Sequence, residues 1–124
     1  MAWEPISEAE IWDELNQAAS RMTVPQERFW EAIRIPPEKW AQEPYGNLGG
    51  GFWAVAVIGR IVVWFNDIED GFNFSRYSAH GTIGQYFANQ DELELVIQEL
   101  MEIVRTGYRI GGQFGPPRPG PYPG

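Results

Sequence analysis

The chain has no cysteine and only one histidine among its 124 residues. Without cysteine it cannot form disulfides, thiolate metal sites or a cysteine nucleophile. The single His80 cannot build a zinc site that needs several histidines. We therefore expect neither a metal nor another cofactor.

Basic residues are scarce as well. Nine Lys and Arg residues face 17 Asp and Glu residues, which gives a formal net charge of -8. Phosphate backbones are bound by clustered basic side chains, so we expect no nucleic-acid partner. An acidic surface keeps a protein in solution, and it also attracts basic proteins. A basic protein is therefore the partner that the composition suggests.

Long apolar runs are missing too. The N-terminal MAWEPISEAE has neither the basic stretch nor the apolar core of a signal peptide, and Gly59-Arg60 interrupts the longest apolar run. These features predict a cytoplasmic protein that does not contact a membrane. Length and composition predict a single α+β domain over residues 1–110, a Gly/Pro-rich extended tail over residues 111–124, and a monomer or small homo-oligomer.

The apolar residues in the middle of the chain follow the two-residue period of strands. Phe52–Ile58 and Ile61–Phe65 are separated only by Gly59-Arg60, which predicts a tight hairpin. Strict alternation divides the first strand into two apolar faces: Phe52, Ala54, Ala56 and Ile58 on one, Trp53, Val55 and Val57 on the other. We therefore expect this hairpin in the middle of a sheet that is covered on both sides.

Two more polar strands are predicted after the hairpin, Phe72–Tyr77 and Thr82–Phe87. The loops before them end in Gly71 and Gly81, and glycine permits the backbone to reverse there. The four segments together predict an antiparallel meander.

Helical periodicity marks three further segments. Ser7 and Glu10 form a capping box before a first helix of about four turns. Thr23 caps a second helix, which should end near Arg34 because Pro36-Pro37 follows, and a short helical turn is expected from Pro37 to Trp40. Asn89-Gln90-Asp91-Glu92 begins a third helix. The fold class is therefore α+β, a four-stranded antiparallel meander with two N-terminal helices and one C-terminal helix. The last helix covers the second face of the sheet or packs beside the first two.

Two sets of residues are candidates for binding a partner. Asp67, Glu69 and Asp70 place three carboxylates in one hairpin turn; the spacing fails the EF-hand pattern, so calcium is not the expected ligand. Trp12, Trp30 and Trp40 lie at helix edges, and tryptophan is favoured in interface hot spots. A solvated turn and ordinary core packing are the plainer interpretations of the two sets.

A pocket that contains Tyr77 and His80 is the alternative site. A Ser–His–carboxylate set can be assembled from Ser75 or Ser78, His80, and Asp67 or Asp70, but no nucleophile-elbow motif accompanies it. A turn position is the plainer interpretation of His80. The lack of catalytic motifs favours a non-catalytic binding protein over a small enzyme or ligand-binding domain.

The segments RFWEAIRIPPEKW, FWAVAVIGRIVVWFNDIEDGFNFSRYS and IGQYFANQDELELVIQEL resemble a group of small uncharacterised bacterial proteins, over about residues 25–104. In size, acidity and α+β layout the chain is similar to immunity proteins of bacterial toxin systems. The resemblance implies a protein-binding module that neutralises a basic partner, and it assigns no site residues.

Overall fold

A computed structural model describes residues 4–43, 45–46 and 50–107. Within these residues the elements are α1 (Glu8–Arg21), α2 (Val24–Ile33), β1 (Arg34–Trp40), β2 (Phe52–Ile58), β3 (Ile61–Asn66), β4 (Gly71–Arg76) and α3 (Leu93–Thr106). The strands form one antiparallel sheet in the order β1-β2-β3-β4, which confirms the predicted α+β meander. The predicted tail, residues 111–124, lies outside the described residues. In the described ranges no helix is long and apolar enough to cross a membrane.

Reciprocal capping boxes start the first two helices, as predicted. Ser7 Oγ accepts from the Glu10 amide at 3.1 Å, while Glu10 Oε1 accepts from the Ser7 amide at 2.8 Å. Thr23 and Gln26 repeat the arrangement at α2. These bonds satisfy amides that the first turn of a helix leaves without partners. At α3 the N-cap is Glu92, which makes no side-chain capping hydrogen bond.

The first strand of the sheet is one that the sequence did not predict. Arg34–Trp40 is β1, so the helical turn expected from Pro37 was wrong. Proline cannot donate to a ladder, but β1 is an edge strand that pairs only with β2, and its register shifts between Arg34 and Glu38 around the two prolines. An edge position with an irregular register therefore tolerates Pro36-Pro37.

The predicted strand Thr82–Phe87 was also wrong. Residues 77–91 carry no regular strand and instead run across the sheet; we call this segment the strap. The strap meets the edge region of β1, where the Ile83 amide donates to the Ala41 carbonyl at 2.9 Å, and meets β4, where the Phe72 amide donates to the Asp91 carbonyl at 2.8 Å. The alternation of residues 82–87 thus reflects a segment laid over the sheet and not a fifth partner in its ladder.

A β-bulge changes the faces of β2 halfway along the strand. The register with β3 shifts between Ala54 and Ala56, so Val55 and Ala56 both face the helices. The predicted alternation holds for Phe52 to Val55 and was wrong for Ala56 to Ile58, because an extra residue inverts the sides that follow it.

All three helices cover one face of the sheet. Their buried residues join those of β2, β3 and β4 in one cluster, in which α1 supplies Ile11 and Leu15 and α3 supplies Ile97 and Leu100. The last helix therefore packs beside the first two, which decides between the two placements that the sequence left open.

The strap covers the other face. Beneath it lies an aromatic layer, a second cluster in which Ile83 of the strap packs with Trp40, Phe52, Ala54, Val62 and Trp64. Buried polar side chains of β3 and β4 bind backbone groups of the strap: Ser75 to the Gln85 carbonyl at 2.7 Å, Asn66 to the Phe87 carbonyl at 3.0 Å, and Asn73 to the Asn89 carbonyl at 3.1 Å and amide at 3.0 Å. The polar face of β4 therefore holds an irregular segment in place, because buried backbone groups need hydrogen-bond partners.

Candidate functional site

The turn between β3 and β4 carries the three predicted acidic residues, and Asp67 has a structural role there. Its Oδ2 accepts from the Ile6 amide at 2.8 Å, while Trp53 Nε1 donates to the Ile6 carbonyl at 3.0 Å. The two side chains hold the chain at its approach to α1. Asp67 is therefore a support of the fold as well as a charge.

Asn66 organises the rest of this turn. Its Oδ1 accepts from the amides of Ile68 at 3.1 Å and Glu69 at 3.2 Å. Asp70 then takes a left-handed conformation, with φ of 63°, and is exposed. Aspartate tolerates this conformation better than most residues. Of the three predicted carboxylates, Asp70 is the one that faces α1.

An acidic cleft lies between α1, this turn and the residues that precede α3. Its volume is about 230 Å³. Five charged residues line it: Glu14, Arg21, Asp70, Asp91 and Glu92. Phe65 and Phe72, whose ring centroids are 4.8 Å apart, lie at the base of the cleft and are buried, each only 3% exposed. The accessible lining of the cleft is therefore mainly polar and acidic.

The charges around the cleft do not cancel. Arg21 is engaged by Glu94, at 2.5 Å from Nε, and by Glu92, at 3.4 Å from Nη2. In the described part of the chain, Glu14, Asp70 and Asp91 make no ion pair. Burial, followed by the nearby Asp70 carboxylate, raises the pKa of Glu14. Ionised carboxylates in the cleft are therefore unfavourable in free energy, and a bound cation would offset that repulsion.

Gly71 brings the two walls of the cleft together. A Cβ at this position would lie 2.3 Å from Gln90 Cα and 2.4 Å from the Asn89 carbonyl oxygen. Only glycine fits this close approach, which brings the turn against residues 89–90, next to Asp91. The sequence identified Gly71 as a turn residue but gave no sign of its contact with residues 89–90.

The predicted tryptophan surface is largely absent. Trp30 and Trp40 are fully buried, so the structure places them in the core and not on a rim. Trp12 is half-buried, and Arg34 lies 5.6 Å above its ring and 5.4 Å from the ring of Trp30. Burying a large aromatic ring removes much apolar area from water and so stabilises the fold, which explains the buried positions of Trp30 and Trp40.

The alternative site, Tyr77 and His80, lies on the strap. His80 packs on Trp40 with ring centroids 4.6 Å apart, and its Nε2 is 2.8 Å from Glu38 Oε1. The same oxygen accepts from Trp40 Nε1 at 2.8 Å, and that hydrogen bond, more than His80, lowers the pKa of Glu38. Tyr77 donates its hydroxyl to the Gly59 carbonyl at 2.9 Å. None of these residues lines the acidic cleft.

Sequence reasoning missed Glu38, Glu14, Asp91 and Glu92 as site residues. Glu38 is 42 positions from His80 and was assigned to a helical turn; the two meet because β1 is a strand and the strap binds Ala41 at its end. Glu14 appeared as one of several solvent-facing residues of α1.

The described residues contain no group of three or more His, Cys, Asp or Glu side chains that could hold a metal ion. No protein-family model, no curated protein and no solved structure matches the chain.

Proposed function

We propose that the chain is a non-catalytic protein-binding module whose acidic cleft receives a basic side chain of a partner protein. One observation carries the proposal: Glu14, Asp70 and Asp91 surround the cleft without an ion pair in the described residues. Carboxylates without cations repel one another, and a guanidinium or ammonium group would replace that repulsion with attraction.

The cleft suits the charge of such a side chain more than its hydrocarbon stem. Lysine and arginine carry hydrocarbon stems below their charges, and these stems pack readily against aromatic rings. Phe65 and Phe72 are each only 3% exposed, so the carboxylates, and not the rings, supply the recognition. The net charge of -8 would add long-range attraction, which acts mainly on the association rate.

An immunity protein is the specific case that we propose. The resemblance in size, acidity and layout supports it, and such a protein would neutralise a basic toxin in the cytoplasm of a bacterium. We propose a monomer or small homo-oligomer that acts without nucleic acid or membrane. Asp67 and Glu69 contribute charge near the cleft, and Trp12, at the edge of α1, is the one predicted tryptophan with enough exposure to contact a partner.

The test neutralises the cleft without disturbing the fold. Asp70→Asn with Asp91→Asn removes two charges, and asparagine suits the left-handed backbone of residue 70. Asp67 is left intact because it holds Ile6. The partner is captured from a lysate of the source organism, purified, and its association rate measured at low and high salt. We expect the cleft variant to associate more slowly and with a weaker salt dependence.

A matched control removes two charges elsewhere. Glu4→Gln with Glu27→Gln changes exposed residues that do not line the cleft. We expect this variant to keep most of the wild-type rate. Equal losses in both variants would show that net charge alone acts, and equal rates in all three proteins would remove acidic recognition from the mechanism.

A second candidate function rests on His80. Glu38 holds the imidazole by Nε2, and a carboxylate that orients a histidine is a feature of many hydrolases. A small enzyme or ligand-binding domain that uses Tyr77 and His80 is the alternative proposal. Hydrolysis of p-nitrophenyl acetate that is lost in His80→Gln would support it, whereas equal rates in wild type and His80→Gln would exclude His80 as a nucleophile or base for this ester.

A further inference from the structure

We propose that Glu38 and His80 form a pH-sensitive latch, which holds one end of the strap closed over Trp40 while the imidazole is protonated. The latch acts on residues 78–82, which we call the latch turn. Glu38 belongs to β1, an edge strand, and His80 is an exposed residue in the middle of the latch turn. The device goes beyond both functions proposed above, since it needs neither a partner nor a substrate.

The latch turn is the weakly attached part of the strap. A backbone hydrogen bond joins it to the end of β1, where the Ala41 amide donates to the Gly81 carbonyl at 2.8 Å. Ile83, the residue after the turn, is buried in the aromatic layer. Beyond Ile83 the strap is held by buried polar side chains of β3 and β4. The turn can therefore open while the rest of the strap stays docked.

The imidazole of His80 meets a carboxylate and two aromatic rings. Its Nε2 is 2.8 Å from Glu38 Oε1, and its ring centroid is 4.6 Å from that of Trp40. These two side chains face it from β1, while Tyr77, with its centroid 6.5 Å away, faces it from the beginning of the strap. Lys39, the cation beside Glu38 in β1, packs on the helix side of the sheet. The charge that β1 presents to His80 is therefore that of a carboxylate.

Protonation strengthens two of the contacts of His80 in the same direction. The contact with Glu38 becomes an ion pair, and the face of the Trp40 ring attracts the positive charge. Histidine changes charge between about pH 5 and pH 8, so closure is strongest on the acidic side of this range and weakens as pH rises through it. An exposed ion pair shifts such an equilibrium by about two- to fivefold.

Glu38 keeps its charge on the acidic side of this range. Trp40 Nε1 donates to the same Oε1 at 2.8 Å, and this hydrogen bond, followed by His80, lowers the pKa of Glu38. The carboxylate therefore takes up a proton only below the ordinary range of glutamate, about pH 4. The latch is closed most firmly between about pH 4 and pH 6, where both groups are charged. Above that range a neutral imidazole can still donate to Glu38, so the turn loosens without detaching.

Amide hydrogen exchange in the wild-type chain, at about pH 5.5 and about pH 7.5, tests the latch. Ala41 is the reporter, because its amide donates to Gly81 in the latch turn. Phe72 is the reference, because its amide donates to Asp91 at the far end of the strap. Protection factors correct for the intrinsic pH dependence of exchange, and dividing the Ala41 value by the Phe72 value removes any change in global stability. We expect this ratio to be about two- to fivefold higher at the lower pH.

Two variants separate the ion pair from other effects of pH. His80→Gln keeps a side-chain donor without a charge, and Glu38→Gln keeps an acceptor for Trp40 Nε1. Each should give the same ratio at both pH values, whereas Glu27→Gln, an exposed change in α2, should keep the wild-type pH dependence. A wild-type ratio that does not change with pH, or a change that survives His80→Gln or Glu38→Gln, would overturn the proposal. No partner or ester is present, so this outcome is distinct from those of the tests of the proposed function.

Discussion

Trp64 is the residue whose removal should cost the most stability on the strap side of the sheet. It lies in β3, an interior strand, is fully buried, and packs on Phe52 and Tyr86 with ring centroids 4.8 Å and 6.0 Å away. Its Nε1 donates to Ser75 Oγ at 2.9 Å. Trp64→Ala should therefore lower the free energy of unfolding by about 3 to 5 kcal/mol, the usual range for deleting a buried aromatic side chain.

The hydrogen bond accounts for a small part of this loss. After Trp64→Ala, Ser75 Oγ still donates to the Gln85 carbonyl at 2.7 Å, so its proton is not left unsatisfied. Trp64→Phe keeps most of the ring and removes the donor, and it should cost about 1 to 2 kcal/mol. The difference between the two variants measures the cavity under the strap.

Urea titration provides the measurement, because a shift of the midpoint at constant slope reports stability alone. Leu95→Ala is the control; its side chain is 55% exposed, and the change should stay within about 0.5 kcal/mol. A loss below about 1 kcal/mol for Trp64→Ala would refute the central position of β3 and the packing of the strap over Trp64.

Three further predictions concern the cleft and the chain end. Gly71→Ala should destabilise by about 1 to 3 kcal/mol in urea, because its Cβ would lie 2.3 Å from Gln90 Cα; a loss below about 0.5 kcal/mol would contradict that contact. The raised pKa of Glu14 means that the folded chain binds this proton more tightly than the unfolded chain, so ionised Glu14 costs stability at pH 7. Glu14→Gln should therefore stabilise at pH 7, and the gain should vanish below about pH 4; an equal gain at both pH values would argue against titration of this group. Deleting residues 115–124 should lower Tm by less than about 4 °C in a thermal melt, because this Gly/Pro-rich composition can bury little apolar surface; a larger drop would show extensive packing of the tail.

The central hairpin could be predicted from the sequence because its signals are local. Phe52–Ile58 and β3 are dense in β-branched and aromatic residues, and Gly59, with φ of 58°, supplies the turn that their separation requires. The helix starts at Ser7 and Thr23 could also be predicted, because a capping box is complete within four residues.

The outer parts of the sheet could not be predicted because they depend on distant partners. Pro36-Pro37 argues against a strand unless β1 is known to lie at an edge of the sheet. Residues 82–87 alternate like a strand, but side-chain hydrogen bonds from Ser75 and Asn66 hold part of this segment in place of a strand ladder. The acidic cleft has the same origin: Glu14 and Asp91 are far apart in sequence, and only the packing of α1 and α3 on one face brings them together.

The strap binds both edges of the sheet, and this constrains the order in which the molecule can assemble. Its contacts with Ala41, next to β1, and with Phe72 in β4 lie at opposite edges of the sheet, so both are present only when β1 and β4 are in place. The strap can therefore make its full set of contacts only on the assembled sheet. It is also the natural first segment to open in the native state, because it contains no helix or strand ladder of its own. Such an opening would uncover Trp40 and Trp64 together, so the aromatic layer is the surface most exposed to aggregation whenever the strap lifts.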